Sequence, residues 1–298
     1  MEIVYQSENN EIFSSKWSEY VSANSLSYRY LPLYIQYSIE YSENIIDNKS
    51  FIIMEDNQCV GICFLPLEKI NNTLQISLAN SFTVAPKSIN NRIEKKIYQI
   101  IEQICTKESI EKIMFYIDPL SLDNKKFNTL LTFGFIDSST TDGIINLTLE
   151  KDKLWTNLNK SYKPLINGIK KDANFEIMLF DKTCADYDIH ESYRKLHKKC
   201  SGRRTRLKST FDRQYEMILQ DNALLIGLKY DKKFIGFNYF FHNNKTAIYA
   251  SGADDPKFEG SKIAIYHPIL WTAIEYYHNN KYQSLELSQP CGYNKVNG

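Results

Sequence analysis

The 298-residue sequence has almost no net charge, since 36 lysines and arginines against 35 aspartates and glutamates leave a formal +1. That balance excludes a protein coated in basic charge for long nucleic acids, while leaving a local basic site open. No apolar run approaches the roughly 20 residues that a membrane helix needs. The start, MEIVYQSENNEIF, has no basic segment leading into an apolar one. The expectation is a cytoplasmic protein with no membrane insertion. The six cysteines, Cys59, Cys63, Cys105, Cys184, Cys200 and Cys291, form no C-x-x-C pair and no disulfide framework. No Cys/His set has metal-ligand spacing either, so neither a metal nor a permanently bound cofactor is expected. A nucleophile-elbow motif is also missing.

What is present is ordinary globular composition, 43% hydrophobic and 24% charged, in a chain long enough for two domains or one large α/β unit. Helical periodicity covers 11–22 and 31–42, with Pro32 at a first turn. FIIMEDNQCVGICFLPL (51–67) reads as a hairpin turning at Asp56 and Asn57, and TLQISLA follows as a third strand. A helix over 91–107 places Ile93, Ile97, Ile100, Ile101 and Ile104 on one face, and the strand EKIMFYIDP ends at Pro119. NKKFNTLLTFGF is a short helix stopped near Gly134, and IINLTLE (144–150) closes this half.

The same order returns from about residue 223. ALLIGLKYDKKFIGFNYFF is strand, charged turn and strand, with Asp231 five residues before Gly236 as Asp56 is five before Gly61. KTAIYASGA is a third strand, 263–280 a helix, and YQSLELSQP a strand ending at Pro290. Two copies of one βββαβ unit are expected. Between them lie a basic amphipathic helix interrupted near Pro164, a strand at 174–180, and helices at 186–199 and 209–220.

This order of elements resembles the Gcn5-related N-acetyltransferase (GNAT) fold, and a chain with two such units resembles the FemAB-like acyltransferases. That family holds aminoacyl-transferring peptidoglycan enzymes and relatives acting with acyl-CoA. The residues carrying the resemblance are YRKLHKKCSGRRTRLKSTFDRQYEMI, LLIGLKYDKKFIGFNYFF and AIYASGADDPKFEGSKIAIYHPILWTAIEYYHNNKYQSLEL. The expected class is α/β, with two tandem GNAT-like units, each a mixed, mostly antiparallel sheet flanked by helices. Residues 1–150 form the first unit and 151–298 the second. Family members continue past the last strand with a Phe-Lys and Gly-rich segment, whereas this chain stops at Gly298, so the second unit is expected to lack its last strand.

Acyl transfer to an amine needs a held donor, a deprotonated nucleophile and a stabilised oxyanion. Donor phosphates in this fold meet free N–H groups at a helix N-terminus, for which FEGSKIAIYHP offers Gly260, Ser261 and Lys262. A plain capped helix is the alternative. The resemblance places the acyl slot at Tyr249, Ser251 and Gly252, and puts an acid for the departing thiolate at Tyr293. Glu286, central in SLELS, is a candidate base, or else a solvent-facing residue of an alternating strand. Arg203, Arg204 and Arg206 follow Gly202 in a loop between two helices, where forked guanidinium groups can converge on a phosphate or carboxylate. His197 neighbours that loop as a ligand contact or a packed helix residue. Acid or base roles for Tyr249 compete with strand packing.

The function expected is an N-acyltransferase using acyl-CoA as cosubstrate and an amino sugar, amino acid or peptide acceptor, in cell-envelope or surface-glycan synthesis. An aminoacyl-tRNA-dependent transferase is the second reading, with tRNA as partner. A ligand-binding module that lost the chemistry is the third.

Overall fold

The computed structural model describes residues 1–119, 128–138, 142–261 and 263–290. Spatial clustering divides the chain into two compact units, Met1–Asp137 and Ser138–Gly298.

The first unit begins with β1 (Glu2–Tyr5), α1 (Asn10–Ala23) and α2 (Pro32–Tyr41). Asn9 caps α1 by accepting from the Ile12 N–H, and Pro32 opens α2 where no N–H is needed. Seven strands follow: β2 (Ile45–Asn48), β3 (Phe51–Glu55), β4 (Gln58–Cys63), β5 (Pro66–Ile70), β6 (Thr73–Ile76), β7 (Thr83–Val84) and β8 (Lys87–Ser88). After α3 (Asn91–Glu108) come β9 (Lys112–Ile113) and β10 (Phe115–Tyr116), parallel to β6 and β7 respectively. The larger sheets have orders β1-β3-β4-β8 and β2-β5-β6-β9. Ile93, Ile97, Ile100 and Ile101 of α3 pack with Phe51, Ile53 and Cys63, as their helical spacing requires.

Glu68 of β5 is fully buried in this unit. Its carboxylate accepts from the hydroxyls of Ser42 and Ser77, from Ala79 N at 2.8 Å and from Asn80 N at 3.0 Å. Ala79 and Asn80 both have positive φ, 50° and 56°, so one carboxylate holds a strained turn between β6 and β7.

The second unit comprises β11 (Asp142–Asn146), α4 (Lys151–Asn157), α5 (Tyr162–Lys171), β12 (Phe175–Phe180), α6 (Tyr187–Cys200), α7 (Lys208–Leu219), β13 (Ala223–Tyr230), β14 (Lys233–Asn243), β15 (Thr246–Asp254), α8 (Tyr266–Asn279) and β16 (Ser284–Pro290). Its sheet has the order β11-β16-β15-β14-β13-β12, antiparallel throughout except for β15 beside β16. One face packs on α5 and α8 through Leu224, Ile226, Phe240, Leu285, Ile269 and Trp271. α6 and α7 cover the other, where Tyr193 stacks on Tyr239 and meets Phe237 edge-on.

The repeat is physical. Hairpins turn at Asp56–Asn57 and Asn71–Asn72 in one unit and at Asp231–Lys232 and Asn244–Lys245 in the other, every one of these residues with positive φ. Paired positive φ values give the primed turn whose twist suits a two-residue hairpin. The repeated glycines also share a reason. A Cβ on Gly61 would lie 2.9 Å from Ile93 of α3, and one on Gly236 would lie 2.1 Å from Ile265, just before α8. In both units the helix that follows the hairpins rests on bare backbone. Each unit also buries an arginine in a link between two helices, Arg29 between α1 and α2 at 7% exposure and Arg206 between α6 and α7 at 6%. Arg29 lies against the rings of Tyr28 and Tyr116 and donates to Asp118 at 2.8 Å.

Two expectations are corrected. Residues 144–150 do not close the first half: β11 pairs antiparallel with β16, Ile144 opposite Glu286 and Ile145 opposite Leu285, so the second unit starts before residue 151. The expected lack of a last strand concerns residues 291–298, which lie outside the described residues. The helix break lies at residues 158–161 rather than at Pro164, which sits in the first turn of α5, where its missing N–H costs nothing.

Candidate functional site

The parallel strands β15 and β16 stay in register over only three residue pairs: Thr246 with Ser284, Ala247 with Leu285, and Ile248 with Glu286. Beyond them β15 runs on to Asp254 and β16 to Pro290 without pairing with each other. The two strands thus fork. On its other side β15 carries a bulge at the same level, since Tyr249 faces Phe240 but Ser251 faces Tyr239, leaving Ala250 without an opposite residue. A bulge leaves its extra residue out of the ladder and re-aims the side chains around it.

Strand alternation assigns the faces. Leu285 belongs to the core under α8, so Glu286 points to the α6/α7 face, where it is only 2% exposed. Ser251 is on that same face, its hydroxyl bonded to that of Tyr193. Tyr249 lies on the opposite face, packed on Phe240 and Tyr266. Burial, and then Tyr266 beside it, pushes its phenol up, so Tyr249 stays protonated and is no base. The structure therefore brings Glu286 and Ser251 to one side of the fork and separates Tyr249 from them. Tyr293 lies outside the described residues.

Gly252 shapes the Tyr249 side. A Cβ there would sit 2.5 Å from the Tyr249 hydroxyl and 2.8 Å from Asn238 Oδ1, so both polar ends converge on the bare glycine. Asn238 is completely buried, and neither amide atom has a hydrogen-bond partner among the described residues. Asp254, two residues on and on the same face, has its carboxyl pushed up by burial. Neither Asn238 nor Asp254 was singled out from the sequence. Asn238 did leave a signal, as the one amide inside the apolar run FIGFNYFF.

The expected phosphate cradle is differently built. α8 begins at Tyr266, several residues after Gly260 and Ser261, and its N-cap position Ile265 gives no side-chain cap. Ser261 instead accepts from the Ile263 N–H within the loop, and Gly260 has φ of +71° with open space around it. Pro268, in the first turn, removes one of the free N–H groups that an anion would use. The residues between are spent crossing Gly236, where Ile265 is buried. Lys262 lies outside the described residues. The described part of this segment does not fit a diphosphate.

The basic run also resolves residue by residue. Arg203 and Arg204 are exposed, and no hydrogen bond or ion pair of theirs falls among the described residues. Arg206 turns inward, 3.8 Å from the centre of the Phe211 ring, and donates to Gln214 at 2.8 Å and to the Tyr193 hydroxyl at 3.3 Å. Lys208 pairs with Asp212 and Arg213 with Glu216. The three expected arginines do not converge: two face solvent and one is part of the core. His197 likewise packs against Tyr193 and Phe211 rather than reaching for an anion.

Burial pushes the pKa of His190, His197 and His242 down to about 4, with Arg206 adding to the effect at His197. All three are neutral at pH 7. His242 fits this state, with Nδ1 3.0 Å from the Tyr277 hydroxyl and Nε2 3.1 Å from the Asp221 carbonyl. An unfolded histidine titrates near 6.5, so below that pH the unfolded chain takes up protons that the folded one refuses. Stability is full above about pH 6.5 and falls as the pH drops toward 4, by on the order of a few kcal/mol from His190 and His242 together. Urea midpoints measured between pH 7 and pH 4.5 should fall, and a flat series would contradict the neutral burial.

No helix among the described residues is long and apolar enough to cross a membrane, and no group of three or more potential ligands there could hold a metal ion. No family model and no curated protein matches the sequence. Solved structures do match. FemX superposes with a TM-score of 0.68 at 13% identity, covering 100% of this chain and 91% of its own. A tandem GNAT protein from the clavulanic acid biosynthesis pathway gives 0.54 at 13% identity, covering 100% and 91%. The C-terminal domain of a putative lysylphosphatidylglycerol synthetase from Agrobacterium fabrum gives 0.58 at 11% identity, covering 94% and 77%. At these identities the likeness is one of fold, and the fold is a FemAB-like tandem GNAT fold.

Proposed function

We propose that the protein is an acyltransferase whose second unit moves an acyl group onto an amine. The observation that carries this reading is the β15/β16 fork, with a buried carboxylate at its base and a bulge along one edge. The acceptor amine loses a proton to the Glu286 carboxylate and attacks the acyl carbonyl carbon lying in the fork. The oxyanion that forms accepts from backbone N–H groups freed at the β15 bulge, and collapse breaks the bond to the donor's sulfur or oxygen, which takes up the second proton that the nitrogen sheds on becoming an amide. The fold of FemX, of the tandem GNAT protein and of the synthetase domain supports the same class of chemistry.

Acyl-CoA is the first donor to test, with an amino sugar, amino acid or peptide as acceptor, in cell-envelope or surface-glycan synthesis in the cytoplasm. A specific observation favours the second donor class. Asn238, the Tyr249 hydroxyl and Asp254 line the α8 face beside the fork with polar groups, which suits an acyl group carrying its own hydrogen-bonding substituent, as an aminoacyl ester of tRNA does.

Purified protein incubated with acetyl-CoA or alanyl-tRNA, against glucosamine, lysine and a lysine-containing peptide, separates these readings. Thiol release reports the first donor and acceptor mass gain reports both. Turnover with alanyl-tRNA alone selects the second class. No turnover with any pair would sink the transferase reading and leave a binding module.

A further inference from the structure

The hydroxyl chain beneath the fork has a fixed direction, and that direction assigns Ser251 a role. Arginine carries donors only. Arg206 donates from Nη2 to the Tyr193 oxygen at 3.3 Å, so this oxygen already serves as an acceptor. Tyr193 is fully buried, and a buried O–H has to find an acceptor. Its remaining hydrogen-bond neighbour among the described residues is the Ser251 hydroxyl. Tyr193 therefore donates to Ser251, and the Ser251 hydrogen is turned away from Tyr193.

Ser251 borders the fork. It sits at the β15 bulge, beyond the last paired residue Ile248, on the same sheet face as Glu286. The driving cation is held firmly, stacked on Phe211 and bonded to Gln214 at 2.8 Å. Tyr193 cannot swing either, packed among His190, Phe211, Phe237 and Tyr239. A buried positive charge thus polarises two hydroxyls in series, and chained hydrogen bonds strengthen one another.

We infer that Ser251 is a catalytic oxyanion donor for the acyl-transfer step, with Tyr193 and Arg206 as positioning residues that fix which way its hydrogen points. This rests on the transferase reading above. It adds a side-chain donor to the backbone N–H groups of the bulge, pre-aimed before substrate arrives, which is how such donors lower a barrier. It also gives the one arginine of the basic run that turns inward a task other than anion binding.

Two measurements test it. With whichever donor and acceptor pair turns over, Ser251→Ala should lower kcat about 10²-fold with KM changed by less than about threefold. Tyr193→Phe, which keeps the ring packing, should lower kcat about tenfold. In the Ser251→Ala background, Tyr193→Phe should add nothing, because its effect passes through Ser251. Losses that multiply, or a loss carried by KM alone, would overturn the assignment. Neutron diffraction from crystals grown in D2O reads the hydrogen-bond direction without any turnover. Deuterium on Tyr193 pointing to Ser251 is expected, and deuterium on Ser251 pointing to Tyr193 would overturn the proposal even if transfer is found. Should no donor be turned over, the transferase reading fails and Ser251 loses its catalytic role with it, while the neutron map still decides the relay.

Discussion

Glu286→Gln should lower the rate of acyl transfer to an amine by about 10²- to 10⁴-fold, the range that a positioned proton acceptor contributes. The substitution keeps size and shape, so it tests charge and basicity rather than packing. Glu286 sits at the last residue pair of the parallel ladder, 2% exposed, between strands whose next residues part. An amine reaches the carbonyl protonated at neutral pH, and only after losing that proton does nitrogen have a lone pair for attack. The amide of glutamine cannot accept it. KM for the acceptor should change little and kcat should carry the loss. Because the side chain is buried, a melting curve has to accompany the assay. A variant that folds like the parent and turns over within about threefold of it would remove Glu286 from the mechanism.

Glu68→Ala should destabilise the first unit by about 3–5 kcal/mol, since a buried donor left without its acceptor costs about 1–3 kcal/mol. Four donors lose their acceptor at once: the hydroxyls of Ser42 and Ser77 and the backbone N–H groups of Ala79 and Asn80. Ser77 is fully buried, so its hydroxyl cannot turn to water, and the turn at Ala79 and Asn80, both with positive φ, loses the acceptor that holds it. Thermal unfolding of the variant should show the transition of the first unit lowered by about 10 °C or more. Glu68→Gln should cost less, because one carbonyl oxygen remains while the amide hydrogens meet other donors. A shift of under about 2 °C for the alanine variant would show that the turn is held by something else.

Much of the fold was legible in the sequence where the cause is local. Asp56–Asn57 and Asp231–Lys232 sit between apolar runs, and such pairs accept the positive φ that a two-residue hairpin demands. The D-x4-G spacing marked real close approaches, Gly61 to α3 and Gly236 to Ile265. Glu286 stood out as one charge between two leucines, and its burial follows from its place on a strand flanked on both sides, by β11 and β15.

What was not legible depends on partners distant in sequence. An arginine in RRTRLK reads as solvent-facing charge until Phe211, Gln214 and Tyr193 close around Arg206. Tyr193 itself falls on the apolar stripe of α6 with His190 and Leu196, indistinguishable by spacing from a core residue. Gly260–Ser261 has the pattern of a helix start, yet the chain first crosses over Gly236 before α8 can begin. IINLTLE looked like the end of one half because nothing near it in sequence reveals that its partner is β16.

That pairing has a consequence for handling the protein in pieces. β11 precedes every other element of the second unit, and β16 is the last. A fragment beginning at residue 151 would contain all the apparent machinery and still leave the outer edge of β16 bare, a row of unpaired N–H and C=O groups ready to recruit another chain. Such a fragment would be prone to self-association, and its fork would be walled on one side by a strand with nothing behind it. Starting at or ahead of Asp142 supplies the missing edge. Solubility of the isolated unit is thus set by five residues that lie outside its own apparent repeat.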